Sequence, residues 1–280
     1  PGFVSVEELN VADTKVSGTL PHNLANLPKL NKLRLRESRL SGTLPAFVRN
    51  TSNFLNARNV EEIDLDHTSM SGTLPSLTAL ATSLNKISAS HSSISGTIPP
   101  AYGQLAQLER VELEHLVNLS GTIPPELGQA RRIFDLELET TALSGTVPHQ
   151  LGRLYFLRDL ELHNMRLSGT LNSELFADMR RLRDFTIAKN FISGSLPGTM
   201  AIPPFRTCDL TEWPTPTNVV LCPLPADIHD THPCARGLTC TAPPSLPPPG
   251  SPPLSPPQPP RLPPAPPPPT SPPVPPSTPL

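Results

Sequence analysis

Cysteine is missing from the first 207 residues of this 280-residue chain; its four copies, Cys208, Cys222, Cys234 and Cys240, share one late segment. An even number confined to one stretch reads as a local disulfide cap formed in an oxidising compartment. The spacing supplies no two close Cys pairs, which leaves four reduced thiols or a zinc site as the weaker accounts. There is no basic excess: 22 Lys and Arg stand against 24 Asp and Glu, a formal net charge of −2. Long-range attraction to nucleic acid or an acidic membrane is therefore not expected. No apolar run approaches the roughly 20 residues that cross a bilayer. Also absent are a glycine-rich phosphate loop, a Gly-x-Ser-x-Gly elbow and a His-Glu-x-x-His pair, so neither an enzyme nor a cofactor site is expected.

Proline is abundant instead. Of 40 prolines, 22 fall in the last 38 residues, and that composition break places a domain boundary near Ala242. Residues 243–280 should form a polyproline II stalk or linker without a core, reaching roughly 120 Å at about 3.1 Å per residue.

The remainder repeats. Ser-Gly-Thr, once Ser-Gly-Ser, begins at Ser17, Ser41, Ser71, Ser95, Ser120, Ser144, Ser168 and Ser193, at intervals of 24, 30, 24, 25, 24, 24 and 25 residues. Aliphatic residues stand at fixed offsets before it, for example Leu30, Leu33, Leu35 and Leu40, or Ile133, Leu136, Leu138 and Leu143. The Leu-x-Leu step has period two and marks a short strand. One such strand cannot bury its apolar face alone, whereas stacked copies bury it against each other.

The run Leu-x-x-Leu-x-Leu-x-x-x-x-Leu-Ser-Gly-Thr-Ile-Pro-x-x-Leu-Gly resembles the plant-type leucine-rich repeat and covers residues 4 to about 205. The resemblance implies a right-handed α/β solenoid of about eight repeats with a parallel concave sheet. It also implies use in receptor-like proteins, wall extensins or inhibitors of secreted enzymes. Leu221-Cys222-Pro223-Leu224-Pro225 is similar to that family's C-terminal cap, giving 1–205 as solenoid, 206–242 as cap and 243–280 as stalk. Where the family has asparagine three residues before the Ser, this chain has Thr14, Ser38, Thr68, Ser92, Thr141 and Met165, and only Asn190 conforms. Thr-x-aliphatic-Ser-Gly-Thr-Leu-Pro also resembles the repeats of kinetoplastid surface antigens, and the tail resembles extensins. Val4 and Val6 already read as repeat, so either the natural protein continues upstream or Pro1–Glu8 forms a makeshift cap.

Register would turn distant letters into columns about 4.8 Å apart on the concave face. One column runs Asn10, Arg34, Asp64, Ser88, Glu112, Glu137, Glu161, Thr186; the next runs Ala12, Arg36, Asp66, Ser90, Glu114, Glu139, His163, Ala188. A third, Asp13, Glu37, His67, His91, His115, Thr140, Asn164, Lys189, brings three histidines into a row. Like charges in one file cost stability, which suggests a docking strip for a basic protein or peptide, with solubility as the plain alternative and calcium a lesser one. The histidines could sense pH, with Asp66 and Glu114 expected to raise their pKa; a straight row suits tetrahedral zinc poorly. Asn50 and Asn118 head glycosylation sequons, and Trp213 reads as cap packing. The expectation is a secreted, cell-surface or wall protein that recognises a protein or peptide, with the tail contacting wall polysaccharide or coat. A structural coat glycoprotein and a receptor-kinase ectodomain are the alternatives.

Overall fold

A computed structural model describes residues 5–21, 24, 27–45, 59–211, 219–220, 225, 228 and 232–235. Asn50, Trp213, Cys222, Cys240 and the tail lie outside the described residues. Within them the chain winds as the expected leucine-rich-repeat solenoid. The first of two parallel sheets takes one three-residue strand from each of nine coils: Glu8–Asn10, Lys32–Arg34, Glu62–Asp64, Lys86–Ser88, Arg110–Glu112, Asp135–Glu137, Asp159–Glu161, Asp184–Thr186 and Thr207–Asp209. Coils are numbered 1 to 9 by these strands. The ninth lies within the segment assigned to the cap, which therefore begins by adding a strand.

Register follows the repeat letter for letter. Leu9, Leu33, Ile63, Ile87, Val111, Leu136, Leu160, Phe185 and Cys208 stand side by side. From coil 2 to coil 8 the central residue of this file is almost wholly shielded from solvent, as are Leu35, Leu65, Leu113, Leu138 and Leu162 two positions on. The two files form the inner wall of one continuous core, the packing that no single repeat could provide.

The second sheet is built from the Ser-Gly-Thr segments, and each of its letters touches a neighbouring coil. Its strands are staggered: Gly42 pairs with Met70, and Gly72 with Ile94. The serine hydroxyl of one coil donates to the glycine carbonyl of the coil before, as in Ser71 to Gly42 at 3.3 Å and Ser95 to Gly72 at 3.1 Å. Gly72 has φ 86°, and a Cβ there would lie 2.8 Å from Thr43 Cγ2. The threonine methyl of each coil occupies the space that the next glycine leaves open, so the tripeptide recurs as a unit.

On the convex side Tyr102-Gly103, Leu127-Gly128 and Leu151-Gly152 sit in the short 3-10 turns Pro100–Gln104, Pro125–Gln129 and His149–Arg153, followed by the one-turn helix α1, Ser173–Phe176. Pro100 and Pro125 open their turns where the missing N–H costs nothing. Gly103, Gly128 and Gly152 lie against the backbone of the following coil, leaving no room for a side chain.

The hydroxyl-for-amide exchange has a visible cost. Asn190 is fully buried; its Nδ2 donates to Leu162 O at 2.7 Å and Ile187 O at 2.9 Å, and its Oδ1 accepts from Leu167 N at 3.0 Å. Thr68 and Thr141 donate one bond each, to the carbonyl three residues back, and buried Ser38 Oγ has no partner. Replacing Asn190 by alanine strands several backbone groups and should cost about 3 kcal/mol in chemical denaturation, whereas Thr68→Val should cost about 1 kcal/mol. Equal losses would show that the amide ladder has no special weight.

The C-terminal end is closed by rings and a disulfide. Phe176, Phe185 and Phe205 pack at centroid distances of 5.4 to 6.4 Å, and Cys208 on the last strand bonds Cys234. At the other end Val6 and Leu9 are only partly buried against the core.

Candidate functional site

Strand alternation sends residues on either side of each central apolar residue outward. The file Arg34, Asp64, Ser88, Glu112, Glu137, Glu161 forms as expected, with Glu112 beside Glu137 and Glu137 beside Glu161. A companion file two residues earlier was missed from sequence: Glu8, Lys32, Glu62, Lys86, Arg110, Asp135, Asp159, Asp184, Thr207. The same period-two rule predicts it, since these residues stand one position before the first strand leucine and share the strand's outward side.

The two files together redraw the charge pattern. Arg34 is not a free cation. It grips Glu62 with two bonds of 2.8 and 3.2 Å and reaches Glu8 at 3.2 Å. Burial works against the charged form of Glu62, yet the Arg34 contacts outweigh it and hold that carboxyl below the usual range. Arg36 turns to Glu37 at 3.1 Å, so the basic start of the strip is largely neutralised from within. In coils 3 to 5 Asp66 accepts from the Ser88 hydroxyl and from Ser90 N, Ser90 bonds Glu114, and Lys86 meets Glu112 at 2.7 Å.

Coils 6 and 7 lack such compensation. Asp135, Glu137 and Glu139 project from one coil, with Asp159 and Glu161 beside them in the next. Burial, and then the neighbouring carboxylates, push Asp135 up to about 6, Glu137 to about 8 and Glu139 to about 7. Glu139 is 7% exposed, and its Oε2, like Asp135 Oδ1, is buried with no hydrogen-bond partner. The strip was expected to be exposed; instead Asp64, Ser88, Ser90 and Glu139 are buried and Glu137 half-buried, because three outward files crowd one inward-curving surface. Glu161 is raised by the same causes, and Asp159 by burial and by Asp184, whose own proton is held off by Arg206 at 2.5 Å.

The three histidines do form a row. His67 and His91 stack at 4.3 Å between ring centres, and His91 and His115 at 4.1 Å. Each occupies the left-handed region, φ 53° to 58°, as does the equivalent residue of every coil from Asp13 to Lys189. Its N–H continues the ladder past the strand, as in His67 N to Ser90 O at 2.8 Å. The expected upward shift is not found at His91, whose pKa is lowered by burial and by the imidazoles on either side, against a weaker pull from Glu114. Its place between two stacked imidazoles thus adds to burial in making His91 harder to charge. His163 is likewise lowered, chiefly by burial, and sits 3.1 Å from Thr186 Oγ1. No group of three or more His, Cys, Asp or Glu positioned to hold a metal ion occurs among the described residues. Asn118 is exposed at the start of strand Asn118–Thr122.

No protein-family description and no curated protein matches the chain. Solved structures do match in fold. The chain is 24% identical over 80% of its length to the crystal structure of PEPR1-AtPEP1, with a TM-score of 0.70, and covers 30% of that chain. It is 21% identical over 79% of its length to the Arabidopsis receptor kinase HAESA in complex with the peptide hormone IDA and the co-receptor SERK1, TM-score 0.62, covering 39% of that chain. A plant ice-binding protein matches at 22% identity over 79% of the chain, TM-score 0.63, covering 67% of its own length. The chain thus has the plant leucine-rich-repeat fold and spans about a third of the length of the first two of these chains.

Proposed function

We propose that this chain is an extracellular recognition module that holds a basic protein or peptide segment along coils 5 to 7 of its concave sheet. The observation that carries the reading is the two unpartnered buried acceptors, Glu139 Oε2 and Asp135 Oδ1, which flank the Glu112, Glu137, Glu161 file on either side. Buried acceptors without donors are costly, and a lysine or arginine from a partner supplies both the donor and the missing charge. The Cys208–Cys234 bond supports an oxidising, extracellular setting. HAESA, of the same fold, is described with a peptide hormone.

A bound cation lowers the pKa of Glu137 and Glu139, so capture should release protons and tighten as pH rises from about 6 to about 8. The test is biolayer interferometry of the full chain against lysine-rich, neutral and glutamate-rich peptides of one length. The triple variant E112K/E137K/E161K should lose at least about a hundredfold in affinity for the basic peptide while its melt shows the chain still folded. Capture equal to the parent's, or no preference for the basic peptide, would remove the strip as the binding site.

A further inference from the structure

A second surface, on the flank that leads into the concave strands, has the opposite charge. The residue just before each strand runs Glu7, Asn31, Glu61, Asn85, Glu109 through coils 1 to 5, then Phe134, Arg158, Arg183, Arg206 through coils 6 to 9. These positions are locked from coil to coil. Phe134 O accepts from Arg158 N at 2.8 Å, Arg158 O from Arg183 N at 2.8 Å, and Arg183 O from Arg206 N at 2.6 Å. Over the first coils the flank is a polar groove of about 680 Å³ lined by residues such as Glu61, Asn85 and Glu109. Beyond Glu109 it becomes a cleft of about 340 Å³ lined by Arg132, Phe134, Phe156, Arg158 and Arg181, with Glu109 at its edge.

Rings and guanidinium groups alternate in this cleft. Phe134 has Arg110 5.2 Å from its ring centre and Arg158 5.6 Å away, and Arg181 lies 4.8 Å over Phe156. Stacking orients each guanidinium while leaving its edge N–H groups free for an anion. Among the described residues, Arg158, Arg181 and Arg183 have no carboxylate within 4.0 Å; only Arg132 reaches Glu109 and only Arg206 reaches Asp184. Phe156, in the cleft, is 46% exposed. Neutral overall composition concealed this field, because the acids that balance it sit round the corner on the concave sheet.

We infer that this cleft, across coils 5 to 8, binds a linear anionic polysaccharide. Arg158 and Arg183 stand one coil, about 4.8 Å, apart in one file, and Arg132 and Arg181 two coils apart in the next, so that together they offer forks to regularly placed carboxylate or sulfate groups. The half-exposed ring of Phe156 between them offers an apolar platform for the C–H face of a sugar ring. An acidic peptide would use the forks but not the platform, and Glu109 limits the site at its N-terminal end.

The experiment immobilises the full chain and titrates alginate as a carboxylated glycan, dextran sulfate as a sulfated one, plain dextran, and polyglutamate. At least one anionic glycan should bind, with affinity that weakens as salt is added, while plain dextran does not. Binding by alginate alone or dextran sulfate alone identifies the preferred anion. R158A/R181A should weaken glycan binding at least about tenfold, and F156A several-fold, with melting unchanged. E112K/E137K/E161K should leave it no weaker, which separates this site from the concave strip. Polyglutamate held as tightly as the glycans, an unaffected R158A/R181A variant, or no binding by either glycan overturns the inference.

Discussion

Gly128→Ala should leave the chain unable to close its convex face, with a stability loss of at least about 3 kcal/mol and a melting point lower by at least roughly 6–12 °C. An added Cβ at Gly128 would lie 2.1 Å from the carbonyl oxygen of Gln150 and 2.6 Å from its carbon. Those atoms belong to the next turn's backbone and cannot rotate aside as a side-chain end could. Relief requires coils 6 and 7 to separate, which opens the core around Leu127 and Leu151, both fully buried. Gly103 faces Glu126 at the same 2.1 Å and should behave alike. Gly198 is the control: nothing lies within 4 Å of its would-be Cβ and its φ is not positive, so Gly198→Ala should be close to neutral. Thermal and denaturant melts of the three variants decide the matter, and a mild Gly128→Ala would mean that the convex turns are not in close contact.

The acidic coils predict an unusual pH dependence of stability. Asp135, Glu137 and Glu139 are raised to about 6, about 8 and about 7, while in the unfolded chain they return to ordinary values near 4. Between those limits the folded chain holds protons that the unfolded chain has lost, so stability falls as pH rises. The contribution is complete below about 4 and gone above about 8. His91 and His163, held low by burial, act in the other direction and cost stability as pH drops below about 6.5. The decline should therefore be clearest from about pH 6.5 to about pH 8, where the melting temperature should drop by several degrees and the double variant E137Q/E139Q should flatten the curve. A parent whose melting point is level or rising across that interval would show that the carboxylates are ionised and solvated after all.

Much of this could be read from the letters. Ser-Gly-Thr fixed the coil length, the Leu-x-Leu step fixed which side chains enter the core, and register then followed because a slip of one residue would turn every leucine outward. What escaped was whatever depends on neighbours across coils. Arg34 reads as a cation in sequence, yet Glu8 and Glu62, 26 and 28 residues away, consume it. The left-handed column was hidden because it is filled by Asp, Glu, His, Thr, Asn and Lys rather than glycine. The arginine cleft lies in turns with no hydrophobic period to draw the eye. The partner of Cys208 is likewise a matter of folding, since four cysteines admit three pairings.

Each Ser-Gly-Thr unit pairs with the units immediately above and below it, and from Gly18 to Ser144 the same serine-to-glycine bond closes every joint. Duplication or loss of a whole 24-residue turn would thus preserve every seam while changing the reach of both charged faces together. Such a chain can be lengthened by recombination without any new interface having to be invented, and its two faces would inherit matched increments of length.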